Sequence, residues 1–69
     1  MFGRLIRVQT HRSDPHATIY VVADPEVNQA IDILKTALAR PDYDYEDLGR
    51  VSDSLIDALS LQPGMFTRT

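Results

Sequence analysis

The chain has 69 residues, a formal charge of −3 and no cysteine. That length gives one domain, residues 1–69, which buries only about 60% of its unfolded surface and gains stability most readily from a subunit interface. The missing cysteines exclude disulfides and thiolate zinc sites, and the acidic balance weighs against nucleic acid.

The first element expected is a strand over Arg4 to Thr10, with Ile6 and Val8 on one face and Leu5, Arg7 and Gln9 on the other. His11 to His16, HRSDPH, is polar, contains Asp-Pro and reads as a loop. Ala17 to Ala23, ATIYVVA, is β-branched and aromatic and reads as a second strand. An antiparallel hairpin with Thr10 opposite Ala17 sets Val8 against Ile19 and Ile6 against Val21. The other face then pairs Leu5 with Val22 and Arg7 with Tyr20. Ile6, Val8, Ile19 and Val21 become the seat for a helix.

Asp24 to Arg40, DPEVNQAIDILKTALAR, is the best-defined element and reads as an amphipathic helix. Asp24 is the expected N-cap, Pro25 takes the first turn, and Glu26 meets the positive end of the dipole. Val27, Ala30, Ile31, Leu34 and Leu38 make the apolar face, widened by Ile33 and Ala37 to roughly 160° of arc. Asn28, Gln29, Asp32, Lys35 and Thr36 face water. Pro41 ends the element.

After Pro41 the spacing predicts a second helix, with Asp44 as N-cap and Asp47 in the capping-box position. Leu48, Val51, Leu55, Ala58 and Leu59 are its stripe, extended by Tyr45 and Ile56. Gly49 lies inside at a cost of about 1 kcal/mol, and Pro63-Gly64 is the stop. Residues 63–69 are a tail that frays or docks Met65 and Phe66 on the core. The expected fold is therefore α+β, an N-terminal hairpin followed by two helices on one face, ββαα. A mostly α chain in which residues 1–10 are helical or loose is the alternative.

His11, Asp14 and His16 share one loop and carry metal-ligand or acid/base chemistry, but their spacing fits no zinc signature and serves a turn equally well. Asp42, Asp44 and Glu46 alternate like the start of a calcium loop, yet Asp47 and Asp53 stand where glycine and glutamate are needed. Arg4, Arg7 and Arg12 fall in residues 1–16 against Asp14 alone, while nine of the ten acids follow. Such a hairpin could enter a nucleic-acid groove with Tyr20 stacking, or Arg7 could simply lie over Tyr20. No phosphate loop, nucleophile elbow or Ser–His–Asp set is present, and no cofactor is expected. The longest apolar run, Ile19 to Ala23, is too short to span a bilayer, and no signal-peptide core opens the chain, so a cytoplasmic protein is expected.

What remains is surplus apolar surface. A two-stranded sheet covered on one face leaves Leu5, Arg7, Tyr20 and Val22 on the other, a patch monomers avoid. The expectation is a non-enzymatic, self-associating interaction module, a homodimer through its hairpin. A nucleic-acid module using Arg4, Arg7 and Arg12, or a metal-binding or enzymatic site at the His11–His16 loop, are the alternatives.

Overall fold

The structure is a computed structural model and describes every residue except Met1, Arg12 and Asp14. Its elements run β1 (Gly3–Gln9), β2 (Thr18–Val22), α1 (Val27–Leu38), β3 (Asp44–Val51), α2 (Asp53–Ala58) and β4 (Phe66–Arg68). The strands form one four-stranded antiparallel sheet in the order β3-β1-β2-β4. The expected ββαα order is thus corrected to ββαβαβ.

The hairpin forms, but one residue out of the expected register. Ile6 lies opposite Tyr20, Arg7 opposite Ile19 and Val8 opposite Thr18. The reason lies in β2, which is apolar on both faces. Alternation cannot discriminate when neither face is polar. Two separate layers cover it. On one side Ile6, Val8, Val22, Ala30 and Leu34 form a buried cluster flanked by Tyr20, Tyr43, Tyr45 and Phe66. On the other, Val21, Ala23, Val51 and Ile56 form a second cluster flanked by Leu5 and Leu61. Helix α1 covers the first face and α2 the second, so the sheet is sandwiched rather than capped on one side.

Within α1, Ala30 and Leu34 are the buried residues, and Asn28, Gln29, Asp32 and Thr36 are exposed. The start is two residues later than expected. Glu26 is the N-cap, its carboxylate accepting from the Gln29 amide at 2.7 Å. Asp24 instead accepts from the Glu26 amide at 2.9 Å, an Asx turn around Pro25. Arg4 Nε donates to the Pro25 carbonyl at 3.1 Å and ties β1 to this turn. Ala39 closes the helix in the left-handed region, φ 55°.

The largest correction concerns Asp44–Val51, expected as a helix and found as a strand. Tyr45 and Asp47 pair with Val8 and Ile6 on β1, which a helix would have left without a partner. A bulge opposite Leu5 and Ile6 takes up one extra residue, Leu48, beside Gly49 at φ 131°. That conformation suits glycine and no other residue well. The helical part of this stretch shrinks to Asp53–Ala58, capped by Ser52, whose Oγ accepts from the Leu55 amide at 3.3 Å. Ile56 is its one buried residue. Beyond it the tail docks. Ala23 N donates to the Met65 carbonyl at 2.8 Å and Gly64 N to the Ala23 carbonyl at 3.0 Å. Phe66 meets the Tyr20 ring edge-on at 5.7 Å, while Met65 stays 47% exposed. Among the described residues no helix is long and apolar enough to cross a membrane.

Candidate functional site

Helix α2 is too short to cover its face of the sheet. Its layer reaches Gly3, Leu5 and Val21 at one end; a Cβ on Gly3 would stand 2.7 Å from Ile56 Cδ1. The next row holds Ile19, Arg7 and Glu46, paired side by side across β2, β1 and β3. Ile19 is only partly buried and belongs to neither core cluster. Arg7 Nη2 and Glu46 Oε1 are 2.7 Å apart, and about half of the Glu46 side chain remains in water. Arg7 Nε is buried with no hydrogen-bond partner. Leu48, the extra residue of the bulge, is 44% exposed. Leu55 and Leu59, four residues apart on the α2 layer, are also open to solvent. This face therefore offers one ion pair with apolar side chains toward α2 and the polar pair Gln9 and Asp44 on its other side.

The opposite face has a different opening. Between the C-terminal end of α1 and the loop end of the hairpin lies a cleft of about 390 Å³. Val8 and Leu38 are its apolar walls; Thr10, Thr18, Tyr20 and Tyr43 bring hydroxyls; His16 and Arg40 bring the basic groups. The backbone at Arg40 is pinned, because its carbonyl accepts from the Tyr45 hydroxyl at 2.7 Å and from the Tyr43 amide at 3.3 Å. The Arg40 guanidinium carbon stands 5.8 Å from the Tyr43 ring centre. Burial, then the charge of Asp42, then Tyr20 and Tyr43, push the Tyr45 hydroxyl above the ordinary tyrosine value. Tyr45 therefore keeps its proton for that carbonyl.

Of the residues expected to form one self-association face, the structure keeps Leu5 and Arg7 together and moves Tyr20 and Val22 to the other side. Val22 is fully buried under α1. Arg7 does not meet Tyr20: it pairs with Glu46, and Tyr20 packs on Phe66. Arg4 and Arg7 project from opposite faces of β1, and Arg4 lies 3.6 Å from Asp47. Arg12 lies outside the described residues. Both described arginines of the hairpin thus have acidic partners on β3, which lowers the charge a phosphate backbone would read. In the His11–His16 loop His11 is exposed, His16 joins the cleft and Asp14 lies outside the described residues. Among those described, no cluster of three metal-ligating side chains occurs. Asp44 and Asp47 sit in a strand, so their expected place at a helix N-terminus is corrected too.

Sequence reasoning missed Ile19 and Glu46 on the open row, and Arg40 and Tyr43 on the cleft. The first two needed the correct register. The second two come from a connection, and no spacing rule joins them to residues of β1 and β2. No family model matches the chain, and no curated protein or solved structure is similar enough to register as a match.

Proposed function

We propose that the chain is a non-enzymatic interaction module that pairs with a second copy of itself across the open row of Arg7, Ile19 and Glu46. The observation that carries this is the charge arrangement. Arg7 and Glu46 stand beside one another, with Leu5 and Ile19 as apolar neighbours and Gln9 and Asp44 on the far side. A two-fold axis through such a face sets Arg7 of each copy against Glu46 of the other, which is the self-complementarity an isologous contact requires. Ile19 lies beside the pair and Leu5 two residues along β1, and they supply the apolar area. A stable interface of about 800 Å² per partner would occupy a little under a fifth of the chain's 4382 Å² surface.

Sedimentation equilibrium tests it. The wild type is expected at twice the 7.8 kDa chain mass. Ile19→Lys is expected at the single-chain mass with its far-UV dichroism unchanged. Arg7→Glu weakens the dimer, and Arg7→Glu with Glu46→Arg restores it. A wild type that stays a single chain from micromolar to millimolar concentration overturns the proposal. A dimer that survives Ile19→Lys moves the contact to the outer edges of β3 or β4.

A further inference from the structure

We infer that the cleft at the C-terminal end of α1 binds a small aromatic carboxylate. Four observations meet there. The first is size: about 390 Å³ sits at the low end of the roughly 300–1,000 Å³ of ordinary ligand pockets, room for one or two rings and no more.

The second is charge. The chain as a whole is acidic, −3, yet the cleft's described lining has Arg40 and His16 and no carboxylate. An anion is therefore favoured at this place against the sign of the whole molecule.

The third is preorganisation. Tyr45 and the Tyr43 amide hold the Arg40 carbonyl, and the Tyr43 ring lies beside the guanidinium. The left-handed turn at Ala39 carries Arg40 off the helix axis toward the hairpin. A guanidinium presents parallel N–H donors in a planar fork that matches both oxygens of a carboxylate. With its backbone already fixed, less freedom is lost when it binds.

The fourth is the shape of the apolar part. Val8 and Leu38 make the walls, and Tyr20 and Tyr43 present aromatic rings. Tyr20 is held in place by its edge-on contact with Phe66. A flat ring fits between aromatic neighbours in offset or edge-on packing. The threonine and tyrosine hydroxyls can then hydrogen-bond the remaining oxygen lone pairs.

This site lies on the face of the sheet opposite the Arg7–Glu46 row, so either proposal can fail while the other stands. The test is an amide chemical-shift titration of the full chain with benzoate, benzamide and inorganic phosphate at one pH and ionic strength. Benzoate is expected to shift Thr10, Thr18, Leu38, Arg40 and Tyr43 together along one saturating curve. Benzamide, which keeps the ring and loses the charge, is expected to bind at least tenfold more weakly, and so is phosphate, which keeps the charge and loses the ring. Arg40→Gln is exposed enough to leave the fold intact; it should cost benzoate at least tenfold and leave benzamide unchanged. Benzamide binding as well as benzoate, phosphate binding as well as benzoate, shifts centred elsewhere, or no saturable shift each overturn the assignment.

Discussion

Leu34→Ala is the sharpest probe of the α1 layer. Leu34 is 0% exposed and shares a cluster with Ile6, Val8, Val22 and Ala30. The substitution removes three carbon groups, roughly 2–2.5 kcal/mol of transfer free energy at about 0.8 kcal/mol each. A cavity term adds to that wherever the surroundings cannot collapse. Here they cannot move far, because Ile6, Val8 and Val22 are fixed by ladder bonds on both sides of β1 and β2. The expected loss is therefore in the upper part of the usual range, about 3–5 kcal/mol. A chain of this length has roughly 3–10 kcal/mol in total, so Leu34→Ala removes about three tenths of it at least and can unfold the domain. Urea unfolding followed by far-UV dichroism, at one chain concentration for every variant, measures it. Leu34→Met keeps the volume and should cost under about 1.5 kcal/mol; Asp32→Ala on the exposed side should change stability by under about 0.5 kcal/mol. A Leu34→Ala variant within about 1 kcal/mol of wild type, or losses from Leu34→Ala and Asp32→Ala that are equal, would refute the placement of α1.

Two further outcomes rest on single contacts. Tyr45 has a raised pKa in the folded chain, so its stabilising effect is complete below the ordinary value of about 10 and is lost as pH rises through the folded value. Urea midpoints between pH 8 and 11 should fall at the alkaline end, less steeply in Tyr45→Phe, and parallel curves for the two proteins would remove Tyr45 from the account. A Cβ on Gly3 would collide with the Val22 carbonyl and press on Ile56 Cδ1, so Gly3→Ala should cost about 1–3 kcal/mol by thermal unfolding; a neutral result would mean Gly3 does not sit against Val22 and Ile56 as described.

How much of this was legible in the sequence depends on what each residue's neighbours had to be. Asp24 to Arg40 announced itself because a helix writes its pattern within one segment, with Leu34 inward and Asp32 outward. β1 and β2 were legible as strands for the same local reason. Their register was not, because Ile19, Tyr20, Val21 and Val22 leave no polar face to anchor the alternation. Asp44 to Val51 misled more seriously. Leu48 and Val51 fall on a helical stripe with Leu55 by coincidence of spacing, and Asp44 looks like a cap. The contrary signals were Tyr43 and Tyr45, both strand formers, and Gly49, poor in a helix and well placed at a bulge. Its partner, β1, is some forty residues earlier, and pairing at that distance leaves no mark in a local window. Phe66 to Arg68 is too short to show any period at all.

The order β3-β1-β2-β4 explains why both candidate surfaces exist. The N-terminal hairpin supplies the two central strands, and each later strand is added to one side of it. Central strands are covered on both faces, which accounts for a β2 with no polar side. Coverage is unequal because the helices differ in length: α1 runs 12 residues and α2 only 6. At about 1.5 Å per residue, α1 is roughly 18 Å long and α2 roughly 9 Å, against roughly 23 Å for the seven residues of β1. The long helix leaves one opening along its flank, between Ile33, Ala37 and Phe66, and the cleft at its end, where the chain turns at Ala39 and brings Arg40 and Tyr43 to the hairpin loop. The short helix leaves the Arg7 row only partly covered. The cleft and the open row are thus two consequences of the same geometry, one on each side of a sheet whose helices do not match it in length.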